Sequence, residues 1–209
     1  ALGELKALTG SRDMAGSGFR ESGEQNKPSS SGPNRGALRG TAYHAVLEHI
    51  RFHEIHSLSE VKPVVDELLE NGFLDQEARD FINPNVIWNF LSSSLGTRMA
   101  KAQAEGRIHK EQQFIIGIPA REMGLGDSDE LVLIQGIIDA YLEEEDGLVL
   151  IDYKTDHVPE GSPEQGAKML AERYRVQLDY YERALTQLTE KHVKERIIYS
   201  LALQMSINV

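Results

Sequence analysis

The run GIIDAYLEEEDGLVLIDYKTD, Gly136 to Asp156, alternates apolar with polar residues on both sides of Glu145-Asp146-Gly147. A period of two on either side of a glycine-containing turn predicts two strands joined as a hairpin. Three charged residues interrupt the pattern: Asp139 in the first strand, Asp152 and Lys154 in the second. Strand interiors favour β-branched and aromatic side chains, so these charges need a reason to be there.

Their faces follow from the strand period. Asp152 and Lys154 are two residues apart and share a face. Asp139 joins them when the hairpin loop has an even number of residues. Asp146-Gly147 as a two-residue turn is the favoured form and sets Asp139 opposite Lys154. A four-residue loop at 144–147 sets it opposite Asp152 instead. Either register gathers two carboxylates and an ammonium on one patch. Adjacent carboxylates repel and attract a hard cation; Mg²⁺ takes oxygen ligands and keeps sites for water and phosphate. A neighbouring lysine can hold a water for attack at phosphorus. A cross-strand ion pair on a solvated face is the plain alternative for such a triplet taken alone.

Outward from the hairpin, a strand is expected near 111–118 and a glycine-rich loop, AREMGLGDSDE, after it. Residues 163–191 form a long amphipathic helix with Leu170, Tyr174, Gln177, Tyr181, Leu185 and Leu188 on one stripe. Gln177 is the polar member of that stripe, which points it at a polar site, since a buried amide needs a partner. ERIIYSLALQ reads as a last strand. Upstream, ALRGTAYHAVLEHI has helical spacing, with Thr41 at its cap or first turn, and His44 and Glu48 on one face. Residues 58–106 read as an inserted helical lobe, one helix stopping at Asn71-Gly72 and another starting at Asn83-Pro84, with Trp88 as an exposed candidate. Residues 1–36, rich in Gly, Ser and Pro, read as a linker or disordered lead-in to a domain over 37–209. The fold class is α/β with an αβββαβ core.

The bulk composition narrows the functions. The 209 residues carry a net charge of −11, the wrong sign for binding DNA with the whole surface. Any nucleic-acid contact must be local or helped by cations. Cysteine is absent, which removes disulfides and thiolate metal sites and fits a reducing compartment. No apolar run is long enough to span a bilayer. The first residues lack both Met and a signal-peptide profile and read as part of a longer polypeptide. No G-x-x-x-x-G-K-[ST] occurs, so this piece contains no nucleotide-driven motor. His49, His53 and His56 lack the H-E-x-x-H pattern of a zinc helix.

Five ordered motifs combine into a resemblance: G-x-x-x-H (Gly40 to His44), Glu111, G-x-x-D (Gly136 to Asp139), D-Y-K (Asp152 to Lys154) and Q-x-x-x-Y (Gln177 to Tyr181). Together they resemble the RecB-type branch of the PD-(D/E)XK nucleases, in particular the nuclease domains of bacterial AddAB-type helicase–nucleases. The resemblance covers residues 36 to about 203, and αβββαβ is that family's core topology. It implies Mg²⁺, with Mn²⁺ as a substitute, bound by His44, Asp139, Asp152 and the Tyr153 carbonyl, with Glu111 as a further ligand. It implies that Lys154 positions or activates the attacking water, and that Gln177 and Tyr181 shape the site. The implied substrate is DNA, mainly single-stranded, cut exonucleolytically during the processing of broken ends. The implied partners are a helicase part of the same polypeptide and an AddB-like subunit, in the bacterial cytoplasm at the nucleoid. Ile138 stands where the superfamily's proline is expected before the aspartate, a gap common in this branch. The alternatives are an inactive DNA-binding relative of the same fold and an acidic protein-docking module.

Overall fold

A computed structural model describes residues 33–158 and 161–209. The expected lead-in lies outside these residues up to position 32, and its last four residues are helical. Helix α1 spans Pro33–His49, so Thr41 is in mid-helix rather than at a cap. A short 3-10 turn, Phe52–Glu54, leads to four helices: α2 (Leu58–Glu70), α3 (Gln76–Phe81), α4 (Pro84–Leu91) and α5 (Ser94–Ala104). Three strands follow, β1 (Ile108–Pro119), β2 (Leu131–Glu144) and β3 (Gly147–Lys154). Helix α6 (Pro163–Thr189) then crosses to β4 (Val193–Ser200) and β5 (Met205–Asn208).

The helix ends have local causes. α2 stops at Asn71, where Gly72 takes the left-handed φ of +78°. α4 starts on the Asn83 cap with Pro84 in its first turn. The sequence reads as one helix from Asn83 to Gly106, but the structure breaks it at Ser92-Ser93. Ser93 Oγ accepts from Gly96 N at 3.1 Å and caps a new helix. Gly96 is required there, because a Cβ would lie 2.2 Å from the Phe90 carbonyl oxygen. α6 opens with a reciprocal cap between Ser162 and Gln165.

The five strands lie in the order β1-β2-β3-β4-β5. β3 and β4 are parallel, joined across α6, and every other neighbouring pair is antiparallel. This contains the expected αβββαβ core. β5 is an addition to it; Gln204, at φ +54°, ends the turn that brings this strand back beside β4. Four residues carry too little alternation to be read as a strand.

Helices α1–α5 cover one face of the sheet, burying Val46, Leu47, Phe90 and Met99 against Leu142, Val149, Ile151 and Tyr199. α6 covers the other face, burying Leu170, Leu178, Ala184 and Leu185 against Ile138, Leu148, Leu150 and Ile198. Leu188, placed on the buried stripe by its spacing, is exposed instead. The stripe drifts along the 27-residue helix and ends where α6 overruns the sheet, with Leu178 and Ala184 taking up the core contacts. Trp88 is half-buried and packs on the helical layer, so it offers no exposed aromatic surface.

Candidate metal centre

The β2–β3 hairpin closes with Glu144 opposite Gly147, leaving Glu145-Asp146 as its two-residue loop. The Asp146-Gly147 turn favoured from sequence is therefore not formed. The register runs from Glu144↔Gly147 to Ala140↔Ile151, which carries Asp139 to the level of Asp152 rather than Lys154. The regular ladder ends there. In place of the next rung, the Tyr153 backbone N–H donates to Asp139 Oδ2 at 2.7 Å. A side chain thus replaces a strand hydrogen bond at the point where the two strands part.

The cause lies in β1 and β2 together. On β2, Ile134 and Ile138 face α6, but Ala140 and Leu142, of the same parity, face the helical layer. β1 shows the same slip: Phe114, Ile116 and Ile118 face α6, while Ile108 packs on the helical layer. The pairs Lys110↔Ala140 and Gln112↔Ile138 bracket the slip and set Glu111 across from Asp139. Glu111 takes the left-handed φ of +50°, which is uncommon for a residue with a Cβ. It is the fourth residue of β1, not the first as its sequence suggested. A shared break in the pleat therefore turns two carboxylates toward α1.

α1 supplies the third group. His44 Nδ1 is 3.2 Å from Asp139 Oδ1, and its Nε2 is 3.2 Å from the Tyr153 carbonyl oxygen. Both ring nitrogens can donate only in the imidazolium form. Burial works against that charge, but Asp139 outweighs it and the His44 pKa is raised. Burial would lift the Asp139 carboxyl too, yet His44 and Lys154 hold it below its ordinary value. Lys110 fixes the end of α1 against β1, donating to the carbonyls of Glu48 at 3.0 Å and Ile50 at 2.7 Å. Glu48, on the same helix face as His44 by spacing, turns to His49 at 3.7 Å instead.

Among the described residues, ligand atoms of His44, Glu111 and Asp139 lie within 4.8 Å of one another. One nitrogen and carboxylate oxygens suit a divalent cation. His49, His53 and His56 form no such group; His53 bonds Gln103 at 3.1 Å. Asp152 stands outside the three-residue group, almost fully buried, with Oδ2 2.7 Å from Lys154 Nζ. Burial raises the Asp152 pKa and Asp139 adds to it, against the pull of Lys154. Burial lowers the Lys154 pKa, but Asp152 and Asp139 reverse this and hold the side chain as an ammonium.

α6 closes the site from the other face. Lys154 Nζ lies 4.3 Å from the centre of the Tyr174 ring, a cation–π contact. The Tyr174 hydroxyl donates to Asp156 at 2.8 Å. Tyr174 thus does more than pack, although its place on the apolar stripe reads as core; its position three residues before Gln177 was the available signal. Gln177 Nε2 donates to the Tyr181 hydroxyl at 2.6 Å, so the polar member of the stripe has a partner one turn on. The Tyr181 ring meets Phe114 edge-on at 5.5 Å. The motif glycines make room: a Cβ on Gly136 would lie 2.8 Å from the Phe114 ring, and one on Gly40 would lie 3.2 Å from Thr155 Oγ1.

The chain that carries this core and this cluster of charged groups matches a known family. The family model described as the PD-(D/E)XK nuclease superfamily matches residues 18–207. The chain belongs to the PD-(D/E)XK nuclease superfamily. Among curated relatives, it is 38% identical over 209 aligned residues to the A subunit of the ATP-dependent helicase/nuclease from Lachnoclostridium phytofermentans, covering 84% of this chain and 15% of that protein. The proteins of the same name from Ruminiclostridium cellulolyticum and Clostridium novyi are 39% and 36% identical over 78% and 79% of this chain, and over 13% of each relative. This nuclease domain therefore spans about one seventh of the length of the curated relatives it matches. Among its described residues, no helix is long and apolar enough to cross a membrane.

Proposed function

We propose that this chain is a divalent-metal-dependent DNA nuclease that hydrolyses phosphodiester bonds, acting mainly on single strands from an end. Its context would be the nuclease part of an AddA-type protein, with a helicase in the same polypeptide and an AddB-like second subunit. The observation that carries the reading is the His44–Glu111–Asp139 group beside the buried Asp152–Lys154 pair. His44, Asp139, Asp152 and the Tyr153 carbonyl would hold Mg²⁺, or Mn²⁺ in its place, with Glu111 as a further ligand. The cation would neutralise charge on the phosphate and lower the pKa of a bound water. Lys154, fixed between Asp152 and the Tyr174 ring, places its ammonium to orient the attacking water and to meet the charge that develops on oxygen. Gln177 and Tyr181 form the α6 wall past which the strand would run. The domain boundary at 37 moves to Pro33 under this reading, since α1 carries His44.

The helicase–nuclease context rests on the relatives' names. The test is cleavage of a labelled single-stranded oligonucleotide by the full chain with Mg²⁺. Activity should disappear with excess chelator and in Asp139→Asn. Undiminished cleavage in chelator would overturn the metal reading. DNA binding without cleavage under any divalent cation would instead favour the inactive-relative alternative.

A further inference from the structure

Among the described residues, Arg39 is a cation without an acid. Its Nη2 donates to the carbonyl oxygen of Thr155, and its Nε is buried with no hydrogen-bond partner among the described residues. The other partly buried arginines behave differently. Arg98 closes on Glu144 and Glu195, Arg79 on Asp66, and Arg196 on Asp179 and Glu182. The acid beside Thr155, Asp156, is committed to Arg173 and Tyr174, each at 2.8 Å.

The position of Arg39 gives this charge a meaning. Thr155 directly follows Lys154, and Gly40 lets α1 close on Thr155 at that point. The guanidinium is thereby pinned beside the catalytic cluster without belonging to it. A guanidinium offers five donors in a planar fork that matches phosphate oxygens two at a time. A protein with a net charge of −11 can touch a polyanion only through a few local cations of this kind.

We propose that Arg39 binds a backbone phosphate of the DNA strand adjacent to the one being hydrolysed, adding to the affinity for the strand. The inference rests on the nuclease reading above. Arg39→Gln tests it in the full chain: glutamine keeps a donor for the Thr155 carbonyl but loses the charge and the fork. Binding of a fluorescent single-stranded oligonucleotide is measured across a salt series with Ca²⁺ in place of Mg²⁺, beside KM and kcat with Mg²⁺, calorimetric Mn²⁺ titration and thermal melting.

Arg39→Gln should raise Kd and KM roughly tenfold and lower the log–log salt slope by about 0.7, one phosphate contact on a single strand. Turnover, Mn²⁺ affinity and melting temperature should stay near wild type. Wild-type Kd, KM and salt slope in Arg39→Gln would overturn the inference and leave Arg39 as a clamp between α1 and Thr155. Loss of Mn²⁺ affinity in Arg39→Gln would overturn it also, by placing the residue in the metal site. Arg39→Ala should show the same loss of slope; if it fails to fold, Arg39→Gln decides. A wild-type chain that neither binds nor cuts DNA with any divalent cation would sink the nuclease reading and this inference together. An active wild type with an unaltered Arg39→Gln sinks this inference alone.

Discussion

Asp152 and Lys154 share a strand face and an ion pair, yet they should fail for different reasons when replaced. Lys154→Ala should abolish cleavage while metal still binds, with affinity held or slightly raised because a positive neighbour is gone. Asp152→Asn should lose metal affinity and cleavage together. Calorimetric metal titration and nuclease rate on each variant separate the two; equal loss of metal would end this division of roles. Asp152 also makes a prediction about stability. Its folded pKa lies above the ordinary 3.8, so the native state binds its proton more tightly than the unfolded chain does. That contribution is complete below 3.8 and is lost as pH rises through the raised folded value. Asn keeps it at every pH, and Lys154 still faces the charge of Asp139. Metal-free Asp152→Asn should therefore melt above wild type at pH 7 and level with it near pH 3, as a melting series against pH would show. Gln177→Ala should lower turnover roughly tenfold, about 1.4 kcal/mol of barrier, with little change in melting temperature. A large fall in melting temperature at unchanged turnover would make Gln177 a core residue.

Within β2 the two faces have unequal fates past the pleat slip. Leu133 is 72% exposed while its neighbour Ile134 is 8% exposed and packs toward α6. Ile134→Ala should cost about 2–5 kcal/mol, whereas Leu133→Ala should stay within about 0.5 kcal/mol. Denaturant midpoints at constant slope would check both, and equal losses would show the facing of this part of β2 to be misread. The hairpin itself is only partly legible in the sequence. An even loop follows from the sequence, and with it the approach of Asp139 to Asp152 and Lys154 across the hairpin. The favoured Asp-Gly turn gives way to Glu145-Asp146, because Gly147 pairs with Glu144 and packs against His192, where a Cβ would come within 2.8 Å. Turn preference is a local term, and contact with a distant residue overrides it.

Across the molecule, ion pairs tie the helical layers to the sheet. Arg98 on α5 grips Glu144 of β2 at 3.1 Å and Glu195 of β4 at 2.9 Å. Charge-assisted pairs of this kind are stronger than neutral hydrogen bonds. Arg98→Ala should lower stability by about 2 kcal/mol and the melting temperature by about 4–8 °C, at 2–4 °C per kcal/mol for a chain of this size. A variant melting with wild type would show that the Arg98 pairs add nothing to stability. Metal provides a second whole-molecule readout. A cation that binds only the folded state adds about 2.7 kcal/mol at a hundred times its Kd. Wild type should melt about 5–10 °C higher in saturating Mn²⁺, and Asp139→Asn should not. An equal shift in both would place the metal elsewhere.

The strand period, the long amphipathic helix and five spaced motifs are enough to read the α/β class and the αβββαβ order from the chain alone, and to single out His44, Asp139, Asp152, Lys154 and Gln177 as candidates. These are local or periodic signals, carried by which residue follows which. The rest depends on contacts between residues far apart in the chain. The break in the pleat places Glu111 across from Asp139, but a left-handed residue inside a strand leaves no mark in its neighbours. Tyr174 under Lys154 and Arg39 on Thr155 arise only when α6 and α1 close on opposite faces of β3. Leu188 and Trp88 depart from their expected exposure in opposite senses: helical spacing says which residues share a face, and only the packed neighbours say whether that face is left open, as at Leu188, or covered, as at Trp88.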